Sequence, residues 1–230
     1  MTDQELAALQ SMVQEEFPDL VLRRTDGRVV AEGRYTLFAD DRAVDEYQIR
    51  VQMPEEDNGY PILFETAGRI PRIHDRHIED QAGKCCVMAY DELVFRYPDG
   101  CEVVEFLREP VRGFLISQSY FEQEKDWPFG SRSHGLEGRL EFYAEQVGSH
   151  DVVVGLRVLA IVAASSAGGK VDCPCGSKRR LRKCHRDAIR RLRERIPKRV
   201  AKDLMRQIES QRPQQARSRP RRRSRWWPST

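Results

Sequence analysis

The chain has 230 residues, room for one ordinary domain with appendages, and a formal net charge of only +3. That small number hides an asymmetry: residues 173–230 carry 21 Lys or Arg against 4 Asp or Glu, a net of +17, while residues 1–172 carry 18 against 32, a net of −14. The acidic start Met1-Thr2-Asp3-Gln4-Glu5 is unlike a secretory leader, the longest apolar run (151–164) is too short for a bilayer and contains Arg157, and the adjacent Cys85-Cys86 suit a reducing compartment, so a cytoplasmic protein without a membrane span is expected.

In chain order, Thr2-x-x-Glu5 forms a capping box, and Leu6, Leu9, Val13 and Phe17 follow at helical spacing until Pro18. Strand signals come next. Leu20–Arg23 and Val29–Ala31 flank the hairpin-type turn Thr25-Asp26-Gly27. Tyr35 and Leu37, then Tyr47, Ile49, Val51 and Met53, alternate with polar residues around Asp40-Asp41. Asn58-Gly59-Tyr60-Pro61 breaks the chain before Ile62-Leu63-Phe64. Beyond residue 66 no period holds for over 20 residues, a length of irregular chain that in a compact domain signals function or disorder. Helical spacing returns over Val103–Tyr120 despite Pro110, Gly138–Val147 reads as another helix, and Asp151–Ala164 as a buried one. The order predicts an α+β fold, a four-stranded antiparallel meander packed on helices, over residues 1–150, with an apolar helix and linker over 151–172.

Cys173-Pro174-Cys175-Gly176-Ser177 is followed by Cys184-His185, so three of the six cysteines fall within 12 residues. Three thiolates and one imidazole make the donor set of a closed tetrahedral Zn²⁺ site, and Gly176 and Ser177 suit the turn that joins its halves. A module this small (173–186) is expected to unfold alone when its metal is removed. Ile189, Leu192, Ile196, Val200, Leu204 and Ile208 then mark a basic amphipathic helix over 187–210, with a break before Pro197. Its apolar stripe would dock on the chain's own body or on a partner. Residues 211–230 hold seven Arg, three Pro and Trp226-Trp227, a disordered arm suited to RNA or to an acidic protein partner.

The cysteine cluster resembles the SEC-C motif over about 13 residues, in which Cys-Pro-Cys-Gly-Ser, a basic stretch and a final Cys-His or Cys-Cys bind structural zinc. Family members carry a second Gly after the Ser and an aromatic residue before the third Cys; this chain has Lys178 and Leu181 there. The body resembles the ubiquitin-conjugating-enzyme (UBC) family, and within it the bacterial UBC-like branch, some members of which end in a SEC-C motif. The residues that carry this are Tyr60-Pro61, Gly68-Arg69-Ile70-Pro71-Arg72, Asp75-Arg76-His77, Gly83-Lys84-Cys85-Cys86-Val87, Trp127-Pro128-Phe129-Gly130 and His134-Gly135. The resemblance implies a UBC-like fold, a thioester-forming cysteine at Cys86 and a flap histidine at His77. It further implies a ubiquitin-like protein and a separate activating enzyme as partners. Ile78 and Glu79 stand where the eukaryotic pattern has Pro and Asn, which removes an oxyanion donor.

On this reading Cys86 takes a modifier from an upstream thioester and a lysine amine then removes it. Lys84, Arg72 and Arg76 are expected to favour the thiolate, and His77 to orient the flap through a backbone hydrogen bond. Cys85 is expected to point away from Cys86, because neighbours in an extended segment alternate faces. Cys101, His74 and His150 are assigned no role; His134 and Trp127 read as packing residues. The alternative reading is a non-catalytic zinc-binding adaptor with a UBC-like recognition fold, whose basic tail contacts nucleic acid, ribosome or a protein.

Overall fold

The computed structural model describes residues 2–55, 59–128, 132–165 and 171–211. Asn58, Phe129, Gly130 and the arginine-rich stretch from Arg212 onward lie outside these residues. Helix α1 (Asp3–Glu16) opens on the expected capping box: the Thr2 hydroxyl accepts from the Glu5 N–H at 3.3 Å, and the Glu5 carboxylate accepts from the Thr2 N–H at 2.6 Å. Strands β1 (Leu20–Thr25), β2 (Arg28–Ala39), β3 (Arg42–Gln52) and β4 (Ile62–Glu65) form an antiparallel meander in that order. The fold is therefore α+β with a four-stranded antiparallel sheet.

The apolar runs at 29–31 and 35–37 belong to one 12-residue strand rather than two short ones. Both hairpins turn through two residues in the left-handed region, Asp26 (φ 51°) with Gly27 (φ 76°) and Asp40 (φ 48°) with Asp41 (φ 60°), the geometry that matches the twist of paired strands. Period-two alternation sends Leu20, Leu22, Tyr35, Leu37, Tyr47, Ile49, Val51 and Leu63 into the core.

Helix α2 (Tyr90–Arg96), which the sequence reading passed over, follows the irregular segment. Its signal was short but present, with Leu93, Val94 and Tyr97 at spacings of one, three and four. Helix α3 (Val103–Phe106) continues through a π-turn (Leu107–Val111) into α4 (Arg112–Glu124). Pro110 lies inside that turn: it has no N–H to donate, and the wider turn absorbs the missing bond, so the helix passes the proline instead of ending.

Helices α5 (Gly135–Glu145) and α6 (Val152–Ala163) cross closely at Gly155, where a Cβ would meet the Leu140 carbonyl oxygen at 2.0 Å. The basic segment folds as two helices, α7 (Arg186–Arg195) and α8 (Lys198–Gln211), broken at Ile196-Pro197 as expected. The buried side chains form two clusters. The first joins α1, the sheet, part of α2 and the α3–α4 helix. The second joins Val94 of α2 with α5, α6, α7, α8, Cys173 and Leu181. The stripe Ile189, Leu192, Ile196, Val200 and Leu204 is buried in that second core, so it is spent on the chain's own body. Full burial of one such side chain contributes about 1.5–3 kcal/mol.

Candidate functional sites

The irregular segment after β4 is organised by a buried carboxylate. Glu65 is fully buried, and its oxygens accept the N–H groups of Ala67 (2.9 Å), Gly68 (3.0 Å) and Arg69 (3.3 Å) and the Arg72 guanidinium (2.8 Å). The Glu65 N–H donates to the Gly83 carbonyl at 2.9 Å. Gly83 has φ +89°, and a Cβ there would lie 2.2 Å from the Glu65 carbonyl oxygen, which explains why the residue three before Cys86 is glycine.

The chain then doubles back on itself. Ile78 bridges Cys85, flanked by the bonds Glu79 N–H to Lys84 O (2.8 Å) and Cys86 N–H to His77 O (2.8 Å). Antiparallel pairing puts 77, 79, 84 and 86 on one face and 78 and 85 on the other. Ile78 is 2% exposed and Cys85 6%, both in the first core, while Cys86 is half-buried. The two vicinal thiols thus face opposite ways, as expected, and His77 orients the segment through its carbonyl. His77 itself sits at φ 53°, closing a short 3₁₀ turn (His74–Arg76).

Cys86 lines two grooves, one of about 460 Å³ with His77, Trp127, Arg132 and Ser133, the other of about 510 Å³ with Tyr60, Glu79 and Lys84. The segment Cys86–Ala89 is the wall common to both, and Arg139 borders both. The His77 ring packs edge-on to Trp127 (centroids 5.2 Å) and against His134 (4.4 Å); His74, which carried no sequence signal, lies 5.9 Å from His134. Burial, then the charge of His134, push the His77 imidazole down to about 4. Burial pushes the Cys85 thiol up to about 12. Cys86 is also raised, by burial first and then by Glu79, with Lys84 and Arg132 pulling the other way.

The expectation that Arg72 and Arg76 favour the Cys86 thiolate is corrected here. Arg72 is committed to the Glu65 carboxylate and carbonyl. Arg76 is buried, donating to Gln118 at 2.9 Å and lying over the Phe121 ring. Lys84 does act on Cys86, although it also pairs with Glu79 at 2.7 Å. Arg132, held by Glu92 and Glu145, is the cation that sequence reasoning missed; it comes from a distant loop and nothing in its local pattern marked it. Cys101 is buried, its thiol donates to the Glu102 carbonyl, and burial followed by the charges of Glu105, Glu102 and Glu109 pushes it up to about 12.

The second candidate site is the cysteine cluster. A short hairpin forms as the Cys173 N–H donates to Arg179 O (2.8 Å) and the Leu181 N–H to Val171 O (2.9 Å). Gly176 (φ 79°) and Lys178 (φ 57°) make its turn, and His185 sits at the N-terminus of α7. Donor atoms of Cys173, Cys175, Cys184 and His185 all lie within 4.8 Å of one another. Sulfur–sulfur separations are 3.3 Å (173–175) and 3.7 Å (175–184); His185 Nδ1 lies 3.3 Å from the Cys173 sulfur and 3.5 Å from that of Cys184. A tetrahedron with ligands about 2.0–2.3 Å from its centre has edges of about 3.3–3.8 Å. The four residues could therefore hold a metal ion, and His185 would ligate through Nδ1. Hydrogen bonding from Ser177 brings the Cys175 thiol down to about 6, whereas burial pushes the Cys173 thiol up to about 11.

No protein-family model, characterised protein or solved structure matches this chain.

No helix among the described residues is long and apolar enough to cross a membrane.

Proposed function

We propose that Cys86 receives a ubiquitin-like modifier as a thioester and delivers it to an amine, and that Cys173, Cys175, Cys184 and His185 hold a structural zinc ion. The observation that carries the first part is the division of labour between the vicinal thiols. Cys85 is 6% exposed and borders only the second groove, whereas Cys86 is less buried and borders both grooves, which together could seat an extended C-terminal strand. The order of helix, meander, cysteine-bearing segment and helices supports a UBC-like fold, as do the Tyr60-Pro61, His77 and Gly83-x-x-Cys86 elements of the resemblance described above.

The chemistry would run in two steps. The Cys86 thiolate attacks the carbonyl carbon of an upstream thioester, a new C–S bond forms, and the upstream sulfur leaves and takes up a proton. An amine then attacks the Cys86 thioester; the C–N bond forms, the C–S bond breaks, and the amine proton passes to solvent. His77 is held neutral and positions the segment. The zinc site is closed, with four protein ligands, and would stabilise structure.

Glu79 in place of an oxyanion donor and the raised Cys86 thiol favour a second reading, a non-catalytic adaptor using the same fold for recognition. Treating the purified protein with a ubiquitin-like protein bearing a C-terminal thioester separates the two. The conjugating reading expects a thiol-reducible adduct, retained by Cys85→Ala and lost in Cys86→Ala; the adaptor expects none. For the metal, about one zinc per chain is expected, lost in Cys175→Ser.

A further inference from the structure

We propose that the basic hairpin around the Cys/His cluster is a docking surface for the phosphate backbone of a nucleic-acid duplex. Lys178, Arg179, Arg180, Arg182, Lys183 and Arg186 fall within nine residues, all exposed, and residues 173–186 contain no Asp or Glu. The four mutually adjacent ligand residues fix this stretch in a small volume, so the charges are concentrated in space as well as in sequence. Arg180 pairs with Asp172, and Arg179 donates to the Lys183 carbonyl. The side chains of Lys178, Arg182, Lys183 and Arg186 make no hydrogen bond or ion pair among the described residues. They are charges held on a folded support with nothing to neutralise them.

The kind of anion follows from what the surface lacks. A basic amphipathic helix binds membranes by burying its apolar face, but here that face is already in the second core, and among the described residues from 171 to 211 Val171, at the edge of the hairpin, is the one large hydrophobic side chain exposed. Protein interfaces draw most of their affinity from a few buried Trp, Tyr and Arg anchors; the arginines of the hairpin stand exposed, and residues 173–211 contain no Phe, Tyr or Trp. The same lack removes the stacking platforms on which single strands are held. A regular array of phosphates, contacted by charge alone, fits what remains. Such contacts carry no base sequence, and duplex RNA and duplex DNA share the chemistry. This surface is separate from the Cys86 grooves and stands whether or not Cys86 is reactive.

The test is fluorescence anisotropy of the full zinc-loaded chain with a 20-base-pair duplex RNA, the matching duplex DNA, a single strand and anionic phosphatidylglycerol vesicles, at about 50–300 mM salt. The variant K178Q/R182Q/K183Q/R186Q is compared with a chain ending at Gln211 and with the charge-conserving K178R/R182K/K183R/R186K. Each phosphate contact adds about −0.9 to the slope of log affinity against log salt. The neutral variant should lose about 3–4 from that slope and bind duplex more than tenfold more weakly at about 100 mM salt, while keeping one zinc and the parental melting temperature. The truncated and charge-conserving chains should still bind. Parental affinity and slope in the neutral variant, loss of binding on truncation alone, or preference for the vesicles or the single strand would overturn the proposal.

Discussion

Cys86 is a thiol set between opposing charges, Glu79 raising it and Lys84 and Arg132 lowering it, in a site whose burial already disfavours the thiolate. Glu79→Gln removes the repulsion and frees Lys84, so alkylation of Cys86 by iodoacetamide at pH 8 should speed up several-fold. Lys84→Met should slow it by a similar factor. Equal rates in both variants would show that the sulfur does not sense these side chains. Cys85→Ser places a hydroxyl among apolar neighbours and should destabilise the fold by about 1–3 kcal/mol, measured by denaturant unfolding, without changing Cys86 alkylation. His77 carries a pH dependence of definite sign. Its folded-state value, about 4, lies below the ordinary 6.5, so the unfolded chain binds the proton more readily. Its stabilising contribution is complete above about pH 6.5 and is lost as pH falls towards about 4. Amide protection over 77–86 should therefore weaken between pH 7 and pH 5, and His77→Gln should flatten that trend.

The strands, the capping box and the break at Pro197 could be read from sequence because each depends on near neighbours: alternation, a three-residue spacing, a ring that cannot continue a helix. The irregular segment could not, because its order comes from one carboxylate, Glu65, reaching four groups from Ala67 to Arg72 and from a bridge between Ile78 and Cys85. The same segment shows why Cys86 was legible as a candidate while its electrostatics were not. The Gly83-x-x-Cys86 spacing is local, but Arg132 arrives from a loop 46 residues on, and Arg72 and Arg76 turn away to partners that only the fold supplies. The Cys/His cluster shows the opposite balance, with all four candidate donors within 13 residues of sequence. What the sequence did not disclose is its attachment: Cys173 and Leu181 lie in the core shared with α5–α8. Removing the metal is accordingly expected to loosen α7 and α8 along with the hairpin, contrary to independent unfolding, and hydrogen exchange after chelation would read it. Lys178, at the position where the resembled motif has glycine, holds φ 57°. Lys178→Gly should raise stability by about 1 kcal/mol by relieving that left-handed backbone, with a matching rise in melting temperature.

At the scale of the molecule, two cores divide the work. The first supports the sheet and the Cys86 segment; the second packs the Cys/His cluster and the basic helices against α5 and α6. They meet at α2, where buried Asp91 accepts the Tyr143 hydroxyl at 2.8 Å and pairs with Arg139, which borders both Cys86 grooves and donates to Gln207 of α8. The acidic body carries the reactive-thiol candidate, and the basic residues from Lys178 to Arg206 are carried on a folded support. The central claim is that Cys86 carries an acyl group. It is tested most directly by isolating the intact chain from its native cells in acid without reductant and mapping adducts by mass spectrometry. The account predicts an adduct on Cys86 that thiols release, that persists in Cys86→Ser as a thiol-resistant oxyester, and that Cys85→Ser leaves unchanged. An adduct confined to another residue, or none on either the parent or Cys86→Ser, would contradict it.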